Sequence, residues 1–179
     1  WGCFNLLSAL ISLLSLLLYA FVYTPLKKIN SISVLVGGLP GALPCLIGWV
    51  AGTNALSYGG WVFFGILFLW QFPHFWAIAW VAHKDYEKAG FKLLPGAAGP
   101  TKFTALQTVI YSLLMIPVGM LPFYFPISVI VSFWILLCCN LGMVLMGLFL
   151  FIKMNVNAAV RVMFSSYFYL MIVFLSLLF

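Results

Sequence analysis

Six long apolar stretches separated by short polar breaks constrain the fold of this 179-residue chain more than any other feature. Their approximate ranges are 2–23, 32–52, 59–82, 105–123, 126–151 and 157–179. Each is close to the roughly 20 residues that an α-helix needs to cross the hydrocarbon core of a bilayer. Only 6% of the residues are charged, whereas a soluble domain carries about 25%. The sequence therefore predicts an all-α, polytopic transmembrane helical bundle in which residues 1–179 form a single domain.

The positively charged side chains cluster at alternate breaks between these stretches. All eight lie in or beside the first, third and fifth breaks, namely Lys27, Lys28, Lys84, Lys88, Lys92, Lys102, Lys153 and Arg161. By the positive-inside rule, this side faces the cytoplasm, or the matrix in a mitochondrion. A formal charge of +6 can also indicate nucleic-acid binding, but these cations lie between apolar spans and not in one patch. No nucleic-acid partner is predicted.

The fourth break depends on three prolines, Pro117, Pro122 and Pro126, because the sequence around it is itself apolar. Proline interrupts regular structure. A single fused span would destroy the charge alternation, so the break is predicted to be real.

The segment Trp70–Pro95 concentrates the side chains that could carry chemistry. It contains both histidines, His74 and His83, and the only two acidic residues of the chain, Asp85 and Glu87. Proton transfer, metal binding or a counter-charge would have to draw on these four side chains. We therefore expect a functional site here.

Helical geometry predicts how these side chains face. If the helix continues through Asp85, that residue returns to within about 20° of His74, roughly 16 Å further along. His83 would point the opposite way and pair with Glu87 four residues on. An ionisable residue inside an apolar span is a functional candidate, but His74 could equally be a neutral imidazole that bonds a carbonyl freed by Pro73.

Asp85 and the basic loop YTPLKKINS (23–31) each allow two interpretations. Asp85 could form an interfacial ion pair with a neighbouring lysine, or it could be a carboxylate ligand for Mg²⁺ on a substrate phosphate. Lys27 and Lys28 could be orientation charges that contact anionic lipid, or they could join Tyr23 in binding a diphosphate. The residue types alone leave these alternatives open.

An ordered set of motifs resembles a known family. The motifs are YTPLKK (23–28), GGLPGALPCLIGW (37–49), WQFPHFWAIAW (70–80), KDYEKAG (84–90) and LLP (93–95). Together they resemble the protoheme IX farnesyltransferases, or haem O synthases, of the UbiA prenyltransferase superfamily. The Pro-His-Phe sequence at Pro73–Phe75 favours the haem branch over the quinone prenyltransferases.

The resemblance implies a UbiA-like bundle of nine membrane helices, of which this chain would supply the last six and lack the N-terminal part. It implies transfer of a farnesyl group from farnesyl diphosphate to a vinyl group of haem B, with Mg²⁺ as cofactor. The product, haem O, serves terminal oxidases, so haem A synthase or a terminal oxidase would be an assembly partner. The membrane would be a bacterial inner membrane, with the mitochondrial inner membrane as the alternative.

The resemblance also implies roles for particular residues. Asp85 would belong to the second acidic motif, which holds Mg²⁺ on the diphosphate. Tyr23, Lys27 and Lys28 would line the diphosphate side, and His74 would be the residue nearest the haem.

The chain departs from the family pattern in three places. The first acidic motif, Asn-x-x-x-Asp-x-x-x-Asp, is absent, which is expected if the chain begins after it. The second motif often has two aspartates, whereas here Asp85 is followed only by Glu87. After Leu94–Pro95 the family usually has a basic residue before a glycine, but here Ala98 precedes Gly99.

Two other readings of the sequence remain. Another UbiA-type prenyltransferase would use a quinone or chlorin acceptor. A small transporter or channel would instead line its path with His74 and the proline-rich second span, and would not depend on Mg²⁺.

We expect this chain alone to be inactive, because half of the acidic ligands that the resemblance implies are missing from it. Incubation of the isolated chain with farnesyl diphosphate, haem B and Mg²⁺, followed by chromatography of the haems, tests this. Farnesyl transfer by the isolated chain would contradict the expectation.

Overall fold

The computed structural model describes residues 4–95, 99–124 and 130–177, and over these ranges the chain is helical with short connections. The elements are α1 (Leu6–Leu17), a π-helical segment (Leu18–Tyr23), α2 (Thr24–Ile29), α3 (Ser33–Thr53), α4 (Tyr58–Val81), α5 (His83–Lys88), α6 (Lys102–Tyr124), α7 (Ile130–Lys153) and α8 (Val156–Ser176). Within the described ranges, six spans are long and apolar enough to cross a membrane, the first running continuously from Leu6 to Ile29. The predicted fold class is confirmed.

The first span extends further than the sequence predicts. Helical structure continues beyond residue 23 through α2, so Lys27 and Lys28 lie in its last turn and not in a loop. The hydroxyl of Thr24 donates to the carbonyl of Tyr19 at 2.9 Å, and Pro25 occupies the first turn of α2. Proline has no N–H, so Pro25 leaves one carbonyl of the preceding π-helical turn without a backbone donor, while its fixed φ of about −65° still suits a helix. The motif that looks like a loop is therefore helical.

The helix of the third span ends before Asp85, although the predicted shared face of His74 and Asp85 requires it to continue. Ala82, with φ of −94° and ψ of 19°, separates α4 from the short helix α5. The prediction that His74 and Asp85 share one face of an uninterrupted helix is therefore wrong. The predicted pairing within α5 is confirmed, with His83 Nε2 lying 3.9 Å from Glu87 Oε2.

The remaining breaks lie where the sequence predicts them. Lys102–Tyr124 and Ile130–Lys153 are two separate spans that pack against each other, so the fourth break is confirmed. Pro126 lies outside the described residues. Asn54 after α3 and Met154 after α7 have φ values of 54° and 50°, a left-handed conformation that ends a helix.

Helix α4 is the centre of the bundle. It packs against α3, α6 and α8, whereas the first span contacts α3 and none of α4, α6, α7 or α8 to a comparable extent. Accordingly, in the most apolar 18-residue stretch of each span, 56% is buried in α4 and 11% in the first span. One face of α4 therefore joins the core formed with α6 to α8, and the opposite face is left beside α3 and the first span.

A polar pair lies buried between α7 and α8. The hydroxyl of Tyr169 donates to Asn140 Oδ1 at 2.9 Å, and Asn140 is fully buried. The Nδ2 group of Asn140 has no partner among the described residues. Since a lipid-embedded amide without partners is costly, this one hydrogen bond keeps Asn140 from being wholly unpaired.

Replacing Tyr169 with Phe should lower the free energy of unfolding by roughly 1 kcal/mol, the size of a hydrogen bond between membrane helices. Thermal or denaturant unfolding in detergent micelles measures the change. Tyr124→Phe is the control, because Tyr124 is 87% exposed. Equal stability of the two variants would show that the Tyr169–Asn140 bond contributes nothing.

Candidate functional site

A cavity of about 600 Å³ lies between the first span, α3, α4 and the segment after α4. We call it the chamber. Its lining residues are Ser12, Ser15, Leu16, Tyr19, Tyr23, Val34, Gly37, Pro40, Gly41, Ile47, Gln71, Phe75, Ile78, Tyr86 and Leu93. The volume is within the range of about 300–1,000 Å³ that small-molecule sites occupy. The chamber is therefore the candidate binding site of the described chain.

The chamber has two chemically different ends. Ser12 and Tyr23 are eleven residues apart on one continuous span, which corresponds to about 16 Å along a helix. Tyr23 lies near the lysine-bearing end of that span, together with Tyr86 from α5. We call this end the rim and the end near Ser12 the deep end. The rim carries phenols beside cations, whereas the deep end carries small hydroxyls.

The π-helical segment and a glycine of α3 bring two tyrosines to the rim. The rings of Tyr19 and Tyr23 lie 5.3 Å apart, and both line the chamber. A Cβ atom at Gly37 would come within 2.6 Å of the Tyr23 ring. Only a residue without a side chain lets that ring lie against α3, so Gly37 positions Tyr23. π-Helical turns within α-helices are frequent at functional sites.

Lys27 joins the first span to the segment that follows α5. Its ammonium nitrogen lies 4.8 Å from the centre of the Phe91 ring and 6.0 Å from that of Tyr23. The backbone N–H of Lys92 donates to the carbonyl of Lys27 at 2.9 Å. Two ring contacts and one backbone bond thus hold the Lys27 charge near the rim. Lys28 is exposed and lies with Lys27 beside a shallow surface depression.

Asp85 is not among the residues that line the chamber. It is exposed on α5, and its neighbour Tyr86 is the side chain of α5 that lines the chamber wall. Glu87 lines a separate pocket of about 500 Å³ together with His83. The structure therefore brings Tyr23, Lys27 and α5 together at one end of the chamber, with the Asp85 carboxylate outside its wall.

The carboxylates of the described chain do not form a complete metal site. No cluster of three or more His, Cys, Asp or Glu side chains exists in the parts of the chain that the structure describes. Asp85 and Glu87 are two residues apart on a helix, so their side chains do not face each other. Mg²⁺ prefers near-octahedral oxygen ligands and commonly takes one or two carboxylates plus substrate phosphates. Asp85 could supply one such carboxylate ligand.

His74 does not line the chamber and faces α8. It is 6% exposed, and its Nδ1 lies 2.7 Å from the hydroxyl oxygen of Ser166 on α8. That hydroxyl also lies 2.6 Å from the carbonyl of Met163, to which it can donate. The Trp70 ring stacks on the imidazole at 4.7 Å. The partner of His74 is thus a hydroxyl of another helix, and its place at the haem stays a prediction.

Sequence reasoning missed several chamber residues. Gln71 and Tyr86 line the chamber, although neither was singled out from the sequence. A signal for Gln71 was present, because it is a lone carboxamide inside an apolar span, where a polar group needs a partner. Tyr86 adjoins Asp85, but an aromatic ring at the end of a membrane span is common at the interface and does not by itself indicate a binding site. Tyr19, Ser12 and Ser15 carry no signal of this kind.

The bundle and its chamber define the class of protein: a multi-pass integral membrane protein that encloses a largely apolar small-molecule site with cations at one end. The characteristic sequence pattern of the UbiA prenyltransferase family matches residues 2–178. The chain belongs to the UbiA prenyltransferase family. No solved structure matches the chain.

Individual relatives are similar over most of the chain. A protein named protoheme IX farnesyltransferase from Cytophaga hutchinsonii is 47% identical over 171 residues, covering 95% of this chain and 60% of the relative. Proteins of the same name are 47% identical over 122 residues in Solibacter usitatus and 38% identical over 177 residues in Gloeobacter violaceus. These cover 68% and 97% of this chain, and 42% and 57% of the relatives. The chain thus spans at most about 60% of these relatives' length.

Replacing Gly37 with Ala should lower the free energy of unfolding by about 1–3 kcal/mol, the usual cost of overpacking. The added methyl group would have to displace the Tyr23 ring. Gly48→Ala is the matched control on the same helix, because a Cβ at Gly48 meets nothing within 4 Å. Unfolding in detergent measures both variants, and a Gly37→Ala protein as stable as the control would refute the contact.

Proposed function

We propose that the complete natural protein containing this chain transfers a farnesyl group from farnesyl diphosphate to a vinyl group of haem B, giving haem O. The observation that carries the proposal is the chamber, whose walls are largely apolar and whose rim holds Tyr23 beside Lys27. An amphipathic substrate with an isoprenoid tail and an anionic head matches this polarity. The name protoheme IX farnesyltransferase, borne by similar proteins, supports the choice of substrates.

The rim residues would stabilise the leaving diphosphate. Lys27 supplies a positive charge held in place by Phe91, and Lys28 adds a second charge one residue further along. The Tyr23 hydroxyl can donate a hydrogen bond to a phosphate oxygen. Fixed donors and cations aimed at developing negative charge are among the strongest contributions to catalysis.

Asp85 would contribute one carboxylate ligand to Mg²⁺ carried on the diphosphate. When bound, the ion would neutralise phosphate charge and so favour departure of the diphosphate. The carboxylate of Asp85 is exposed on α5, which suits a ligand whose other partners are substrate phosphates. The further ligands would come from outside the described residues.

The deep part of the chamber would protect the reactive intermediate. Breaking the bond between farnesyl C1 and oxygen leaves an allylic cation, which bulk water would hydrolyse. Walls such as Leu16, Ile47 and Ile78 keep bulk water away from it. The vinyl group of haem B then supplies the electron pair for the new carbon–carbon bond.

His74 would act on the haem side only through a neighbour. It does not line the chamber, but the adjacent Phe75 does, and the two rings are 5.5 Å apart. The hydrogen bond to Ser166 and the stacked Trp70 hold His74 rigidly. We propose that His74 orients Phe75 against the haem and does not ligate its iron.

The proposed setting is a bacterial inner membrane, because the similar proteins named above are bacterial. Haem A synthase or a terminal oxidase is the proposed assembly partner, since haem O has to reach them. The shared name favours haem over a quinone or chlorin acceptor. Membership of a prenyltransferase family argues against a transporter or channel.

Replacing Asp85 with Asn in the complete protein should lower haem O formation on the order of 100-fold, the effect of removing one stabiliser of developing charge. The concentration of Mg²⁺ needed for half-maximal rate should also rise. Chromatography of the haems over a Mg²⁺ titration measures both effects. Glu87→Gln on the same short helix is the charge-matched control, and unaltered turnover of Asp85→Asn would remove Asp85 from the site.

A further inference from the structure

Gln71 is a polar side chain at the apolar wall of the chamber. It lies on α4 and is 3% exposed. Among the described lining residues it is the only carboxamide. A buried amide in a lipid-embedded bundle must have partners for its donors and acceptor. The partners of each group therefore show which groups of the amide are left for a ligand.

Two backbone carbonyls determine the orientation of this amide. The Nε2 group of Gln71 donates to the carbonyl oxygens of Gly38 and Leu67, each at 3.1 Å. Flipping the amide would place its oxygen against two other oxygens, so the assignment is set by chemistry. In the described part of the chain no donor pairs with Oε1, which lies beside Gly41, where a Cβ atom would collide with it. The Oε1 atom therefore offers free lone pairs next to Gly41.

The serine hydroxyls that line the chamber have already used their protons. Ser12 donates to the carbonyl of Ser8 at 2.8 Å, and Ser15 donates to the carbonyl of Pro40 at 3.1 Å. The two serine oxygens and Gln71 Oε1 therefore present acceptor lone pairs to the chamber. Such a surface holds a water molecule through its hydrogens and leaves the water oxygen free, whereas a donor would occupy the oxygen lone pair.

The proposed reaction forms a carbocation that such a water can attack. Attack of the vinyl group on farnesyl C1 leaves a cation on the vinyl carbon next to the porphyrin ring. This cation must either lose a proton, giving an alkene, or capture water, giving an alcohol. Which outcome prevails depends on whether a water oxygen is held at that carbon.

We propose that Gln71 is a positioning residue whose Oε1 atom holds the water that captures this cation. The proposal rests on the proposed function. The C1–O bond of farnesyl diphosphate breaks and its electrons leave with the diphosphate, while the vinyl π electrons form the bond to C1. A lone pair of the water forms the new C–O bond, and the resulting oxonium gives one proton to solvent water. No oxidant or reductant is involved.

The test compares products made by the complete protein from farnesyl diphosphate and haem B in ¹⁸O-labelled water. Mass spectrometry separates the farnesylated alcohol from the alkene, which is lighter by one water. The unaltered protein should yield labelled alcohol. Gln71→Met keeps the length of the side chain but removes the acceptor, and should lower the alcohol-to-alkene ratio about tenfold, the effect of one lost hydrogen bond.

A second variant guards against misfolding of the first. Gly41→Ala keeps the amide and places a methyl group beside Oε1, so it should lower the same ratio. Gln107→Met is the control, because Gln107 lies on α6 and is not among the residues that line the chamber. A purely structural role for Gln71 would reduce total product and leave the ratio unchanged.

The outcomes separate the two proposals. Unaltered protein that forms no farnesylated haem overturns both the proposed function and the role of Gln71. Farnesylated haem whose ratio is the same in Gln71→Met, Gly41→Ala and the control overturns the role of Gln71 alone. Alcohol without ¹⁸O does the same. A ratio lowered in the two chamber variants, and in them only, supports the proposal.

Discussion

The structure depends on one requirement of the bilayer, that every buried backbone polar group must find a partner within the protein. Pro44 has no N–H, which leaves the carbonyl of Pro40 without its helical partner. The hydroxyl of Ser15 on the first span supplies that partner. Gln71 adds a side-chain donor to the carbonyl of Gly38 on the same helix. These two bonds to carbonyls of α3 tie the first span and α4 to it, and so build the chamber wall.

Helix α4 separates two environments. On one side Trp70 donates to the carbonyl of Ser166 at 2.7 Å and His74 bonds its hydroxyl, which joins α4 to α8. On the other side Gln71, Phe75 and Ile78 line the chamber. Because the side facing α8 is held by hydrogen bonds as well as by packing, the chamber side is a rigid surface. A rigid wall is what holding a reactive intermediate requires.

Hydropathy and charge were enough to predict the six spans, because both follow directly from transfer of side chains into lipid. The helical state of Lys27 was not predictable in this way, since a proline and two lysines suit a loop as well as a helix start. No glycine or proline in the sequence marks the break at Ala82. The exposure of Asp85 cannot be deduced unless this break is known, because extrapolating the direction of a side chain along the sequence assumes an uninterrupted helix. The chamber role of Gln71 required its partners on α3.

The polarity of the chamber suits a reaction that separates charge. Heterolysis of an allylic diphosphate produces an anion at one end and a cation at the other, and an apolar medium opposes that separation strongly. At the rim, the positive charge of Lys27 and the hydroxyl donors of the tyrosines stabilise the negative charge of the leaving diphosphate. On the wall between α3 and α4, the free oxygen of Gln71 beside Gly41 offers lone pairs that favour positive charge. A chamber uniformly lined with donors would stabilise the leaving group and destabilise the cation, so a wall that combines donors with acceptors suits a reaction that forms both charges.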